Sequence, residues 1–156
     1  MTLEASGIRR TRRALNNVVD FFDDDKPMRK VCEGIQERIL DLTDQGKDYR
    51  GRKFEPYSEG YSKRTGKRRV DLRDTGTMLD SMKIKIRNPR HGQVRIPSRS
   101  HPRSRANTRM LANIHNTGTG KQPEREFMNI TENWKRKLVK KYFDDPLLKI
   151  AKRARF

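Results

Sequence analysis

The chain is expected to fold as an α+β protein, with helices packed on a small antiparallel sheet and an extended arm and a basic loop outside it. Three observations predict this. Apolar residues recur at helical spacing near both ends of the chain. Two short alternating runs, separated by a turn sequence, lie in the middle. The order of elements shows no strand–helix–strand alternation and no internal repeat, which excludes a parallel α/β sheet.

Taken in order, Ile8, Leu15, Val18, Val19 and Phe22 predict a first amphipathic helix with Arg9, Arg10, Arg12 and Arg13 outward. The run Asp23-Asp24-Asp25-Lys26-Pro27 ends it, and Pro27 suits the first turn of a second helix. There Val31, Ile35, Ile39 and Leu42 form one stripe, with Met28, Cys32 and Leu40 alongside, until Gln45-Gly46-Lys47 closes it. Residues 1–46 thus read as a helical pair, with Cys32 a small core residue. Residues 47–70 carry neither helical nor strand period and read as an extended basic-aromatic arm. Tyr49, Phe54, Tyr57 and Tyr61 alternate there with Arg and Lys, a pattern that suits stacking on bases or anchoring on a subunit surface. The anchor reading is favoured, with Phe54, Tyr57 and Tyr61 seated in an adjacent subunit or partner and the arm ordering on assembly.

Residues 71–143 form the expected core. Around Val70–Met82 a turn enters a short helix, capped by Asp74 or Thr75, that buries Met78, Leu79 and Met82. Lys83–Arg87 and Gln93–Ile96 alternate as the strands of a hairpin, with isoleucine inward. The loop 97–109 is exposed, and its Arg99, Arg103, Arg105 and Arg109 are candidates to face a polyanion. Met110–His115 is a short helix or strand end before a glycine turn. Thr131 starts a last helix with Trp134, Leu138, Val139 and Tyr142 on one face, stopped by Asp144-Asp145-Pro146, and residues 144–156 are left as a basic tail.

With 156 residues the chain has room for one domain, yet Leu, Ile, Val and Phe are just under a fifth of it. Neighbouring subunits are therefore expected to supply part of the buried surface. The net charge is +18 and it is unevenly spread: residues 1–50 are neutral, 51–110 carry +12 and 111–156 carry +6. Acidic partners follow, either nucleic acid or acidic protein surfaces. No apolar run approaches the roughly 18–20 residues of a membrane span, and the first residues lack a secretory signal pattern, so no membrane partner is expected. A single Cys32 makes no internal disulfide.

Nothing in the sequence assembles into reaction chemistry. There is no GxxxxGK[ST], HExxH or CxxC, and Thr117-Gly118-Thr119-Gly120-Lys121 lacks the spacing of a phosphate loop. His115-Asn116 hints at a metal-dependent nuclease, but Asp71 and Asp80 already suit turn and helix roles. No catalytic, metal-ligating or cofactor-binding residue is expected, and the chain does not read as an enzyme.

Three segments in order carry a likeness to a known family. They are Phe54–Tyr61 (FEPYSEGY), Leu72–Ser81 (LRDTGTMLDS) and Ile114–Gly118 followed by Pro123–Phe127 (IHNTG, PEREF). Over about residues 30–143 the chain resembles the tailed-phage virion morphogenesis family, whose members act as tail completion or head–tail joining proteins. The resemblance implies an α+β subunit that forms a six- or twelve-fold homo-oligomeric ring at the neck of a virion, assembled in the host cytoplasm. Its neighbours would be a connector or adaptor and a tail terminator or tail tube protein, with packaged DNA a non-specific contact in the lumen. The match carries over Leu72, Thr75, Gly76, Leu79 and Ser81 as a structural turn-helix, and His115, Gly118, Arg125 and Phe127 as the turn before the last helix. None is carried over as catalytic. The rival reading is a monomeric or dimeric nucleic-acid-binding protein that uses the basic arm and loop as phosphate clamps.

Overall fold

A computed structural model describes residues 3–119 and 122–154. The Gly120-Lys121 end of the glycine turn and the last two residues of the basic tail lie outside them. The element order is α1 (Leu3–Asp23), α2 (Lys26–Asp44), α3 (Glu59–Thr65), α4 (Thr77–Asp80), β1 (Lys83–Asn88), β2 (His91–Arg95), α5 (Thr108–Thr117), α6 (Glu132–Val139), a π-helical turn (Lys140–Asp144) and α7 (Asp145–Ala154). Helices on a two-stranded antiparallel sheet make this an α+β fold.

The hairpin follows from alternation. Ile84 lies opposite Val94 and Ile86 opposite Gly92, and this face is covered by α2. Gly92 is what lets the helix come so close. A Cβ there would meet Cys32 Sγ at 2.4 Å and Met28 Cγ at 3.0 Å. Cys32 is itself 2% exposed, as a core residue should be, and burial pushes its thiol pKa up. The other side of α2 receives α6. Leu138 packs so tightly on Gly34 that a Cβ would lie 2.6 Å from its Cδ2.

The central cluster gathers Ile39 from α2, Met78 and Leu79 from α4, Ile96 just after β2, Ala112 from α5, and Phe54, Val70, Leu72, Met82 and Phe127 from the connections. Connections, Ile96 included, supply more than half of these residues, so the irregular segments are part of the core and do not merely surround it. Turn chemistry holds them. The Phe54 N–H donates to Gly46 O at 2.8 Å, and Thr108, fully buried at the start of α5, donates its hydroxyl to Pro97 O at 2.5 Å. Thr108 Oγ1 also accepts the Arg99 N–H at 3.0 Å, which closes the basic loop at its base.

The two N-terminal helices pack apart, α1 on α7 and α2 on the hairpin. Three expectations are corrected. The arm is not a mobile extension. Phe54 is 8% exposed inside the chain's own cluster, Tyr57 is half-buried against it, and residues 59–65 coil into α3 behind the Ser58 cap. Neither Asp74 nor Thr75 caps α4. Gly76 occupies the cap at φ 79° with no side-chain bond. Finally, Asp144-Asp145-Pro146 does not stop the last helix. The π turn inserts a wider loop of backbone just before Pro146, which then sits in the first turn of α7, where a missing N–H is harmless.

The arm's place in the core has a direct consequence. Phe54→Ala is expected to lower the stability of the isolated subunit by about 3–5 kcal/mol, the usual cost of emptying a buried phenylalanine site. Urea denaturation of the purified chain checks this. An unchanged midpoint would return Phe54 to the role of an anchor for some other molecule.

Candidate functional site

The segments singled out by the resemblance meet at one cleft of about 730 Å³, between the arm, the 72–76 turn, the basic loop and the end of α5. Arg125 is the strut of its floor. It is 2% exposed, and its guanidinium donates from Nε and Nη2 to Glu55 O at 3.2 and 3.0 Å and from Nη2 to Pro56 O at 3.2 Å. The same group lies 5.3 Å from the Tyr57 ring centroid. These bonds tie residues 55–56 to 125, about seventy positions along the chain. Carbonyl dipoles and a π face compensate the buried charge, and burial lowers the Arg125 pKa.

Tyr57 extends the strut. Its hydroxyl oxygen accepts the Leu72 N–H at 3.2 Å, and burial pushes its pKa up to about 12. Leu72 has the left-handed φ of 52°, the only non-glycine residue with positive φ among those described. Its side chain is 6% exposed, so core burial and the Tyr57 bond hold a backbone conformation that leucine disfavours. The Tyr61 ring stands 4.5 Å from the Tyr57 ring and donates its hydroxyl to Asp74 Oδ1 at 3.4 Å. Asp74 also faces Arg103 Nη1 at 3.5 Å, and Thr75 Oγ1 shares a hydrogen bond with His101 Nε2 at 3.1 Å.

His115 closes the far wall. Its carbonyl accepts the Arg125 N–H at 2.7 Å, while its buried Nδ1 has no partner. Burial, aided by the nearby Arg125 charge, pushes its pKa down to about 4, so the ring is neutral at pH 7. Gly118, just past α5, has φ 63°, and a Cβ there would lie 2.8 Å from the Glu124 backbone nitrogen. Only glycine lets the 122–125 segment fold back so closely.

Of the residues chosen from the sequence, Tyr57, Tyr61, Leu72, Thr75, Gly76, Arg103, His115 and Arg125 line this cleft. Leu79 and Phe127, each 1% exposed, and Ser81, bonded to Met78 O at 2.8 Å, lie in the packing behind it. Arg99, Arg105 and Arg109 point elsewhere, and Arg109 joins Arg95 along a second groove between β2 and α5. Asp74 and His101 were not singled out as site residues. Their only signal is position, beside Thr75 and inside a loop that the fold returns to it.

Chemically the cleft reads as a joint. Asp74 is engaged by Tyr61 and Arg103, no carboxylate is bonded to His115, and Arg125 spends its donors on backbone carbonyls. Among the described residues no group of three or more His, Cys, Asp or Glu side chains is placed to hold a metal ion. No helix is long and apolar enough to cross a membrane among those residues. No family model, curated protein or solved structure matches the chain.

Proposed function

We propose that the chain is a structural virion protein, a neck or tail-completion subunit that forms a ring between the head connector of a tailed phage and its tail. The observation that carries this reading is the interlock at the cleft. The three segments on which the resemblance rests, far apart in sequence, are joined by Arg125, Tyr57 and the His115 carbonyl into one structural unit. Such a joint suits a part whose task is to hold shape under assembly.

A ring also needs a face for its neighbour, and α1 supplies one. Its Ala14, Val18 and Phe21 side faces α7, with Phe21 6.0 Å from Phe143 in an edge-on contact. About a quarter-turn round the helix, Ile8, Leu15 and Val19 are 69%, 59% and 56% exposed. In this proposal a second copy of the chain covers that stripe, and two or three buried aliphatic side chains contribute about 1.5–3 kcal/mol each.

The test is mass and shape. Light scattering and negative-stain images of the purified chain, alone and with the connector of its phage, should show a closed ring. Leu15→Glu with Val19→Glu should abolish the ring while circular dichroism stays that of the parent. A chain that remains monomeric with its connector present, or a ring that survives both glutamates, defeats the reading or its interface respectively.

A further inference from the structure

The hairpin has a second face. Alternation that turns Ile84, Ile86 and Val94 toward α2 turns Lys83, Lys85, Arg87 and Arg95 outward, and all four are exposed. Lys83 lies directly opposite Arg95 in the ladder. Like charges in that position destabilise a sheet pair. Among the described residues no carboxylate reaches any of the four, although ion pairs relieve cations elsewhere in the chain, from Arg29–Asp25 to Lys140–Asp145. Arg95 then leads into the groove of about 720 Å³ beside α5, whose rim carries Arg109, also exposed and without an ion pair. The surface is thus a ribbon of four cations on strands braced from behind by a helix, extended by Arg109 of α5.

We propose that this ribbon is a binding surface for duplex DNA, contacting its phosphates without reading its sequence. Spacing and chemistry choose the occupant. Alternate residues on a strand stand about 6.6–6.8 Å apart and neighbouring strands about 4.8 Å apart. The ribbon therefore offers a row of three charges along β1, with Arg95 beside Lys83 across the ladder, at a pitch that a backbone with a phosphate every ~3.4 Å of axis can meet repeatedly. A two-stranded ribbon is also of a size that the major groove admits. Single strands are disfavoured as the occupant, because no aromatic side chain stands among these cations for bases to stack on. An acidic protein would answer the charge but not its regular repeat. The surface is separate from the cleft and from the α1 stripe, so the inference does not depend on the head–tail reading.

The experiment measures binding of a mixed-sequence 30-base-pair DNA duplex to the full chain by fluorescence anisotropy at several salt concentrations. Five phosphate contacts predict a log–log salt slope of about −4.5, or about a five-hundredfold loss of affinity between 50 and 200 mM salt. Replacing Lys83, Lys85, Arg87 and Arg95 with Ala should reduce the slope to about −1 and weaken binding by about a hundredfold at 100 mM salt. Because it relieves the Lys83–Arg95 repulsion, this variant should melt no lower than the parent and should still form whatever oligomer the parent forms. Replacing Arg68, Arg136, Lys149 and Lys152 with Ala removes equal charge away from the ribbon and should leave most of the affinity. Equal losses in the two variants would mean that net charge alone is at work and would overturn the proposal. So would tighter binding of duplex RNA or of poly-glutamate than of DNA at the same salt. A ring that forms normally but ignores DNA would sink this inference alone, while DNA binding by a chain that never forms a ring would sink only the head–tail reading.

Discussion

Replacing Arg125 with Ala is expected to cost about 3–5 kcal/mol of stability, a large fraction of the roughly 5–15 kcal/mol that holds a domain of this size folded. Two effects add. The side chain is 2% exposed, so truncation leaves a cavity, and three hydrogen bonds to Glu55 and Pro56 carbonyls are lost with a charged donor. Arg125→Met separates them, since it refills most of the volume but restores no donor, and it should recover about half of the loss. Arg125→Lys should also fall short, because one ammonium cannot reproduce the planar fork. Chemical denaturation of the three variants decides the matter. If Arg125→Met is as stable as the parent, the guanidinium bonds contribute nothing and the cleft is held by packing alone.

Acid should loosen the fold well before most carboxylates protonate. His115 has its pKa lowered from 6.5 to about 4, so between these values the unfolded chain takes up a proton that the folded chain refuses. Stability is therefore full above pH 6.5 and falls as pH drops toward 4, by about 3 kcal/mol in all. Asp71 is pushed up by burial but held below the ordinary 3.8 by the Arg73 N–H and Lys67, and its share is lost only at lower pH. His115→Leu should flatten the curve between pH 6.5 and 4, and it also removes a nitrogen that has no partner. Thermal midpoints of parent and variant across this range supply the check. Parallel curves for the two would assign the acid sensitivity to some other group.

The elements with one strong period were legible. The α2 stripe, the isoleucine alternation and the Met78, Leu79, Met82 face all appear where spacing puts them, because each buries one face against the same small core. The arm was not legible, for a physical reason. Phe54 and Tyr57 are held by Arg125 and by the Leu72 N–H, partners far along the chain, so no local period could show that they turn inward. In α1 the stripe was seen and its coverage misjudged, since periodicity shows which residues share a face but not which face is covered. The outward hairpin cations are legible too, since the alternation that turns the isoleucines inward dictates them.

The π turn at Lys140–Asp144 has a consequence for how this chain tolerates change. On one side of it α6 is keyed to α2 by Leu138 against Gly34. On the other side α7 is keyed to α1, with Phe143 of the turn itself against Phe21. The turn is what reconciles these two azimuths. Five π-helical residues cover about the angle of four α-helical ones, so deleting one residue would leave an unbroken α-helix with α7 at nearly the same azimuth. Winding all five as α-helix would instead swing α7 by about 100° and present the wrong flank to α1. Substitutions at its exposed positions Lys140 and Lys141 leave that phase untouched. What this stretch encodes is a phase, so related chains should keep Phe143 and carry the turn either as five π-helical residues or as four α-helical ones.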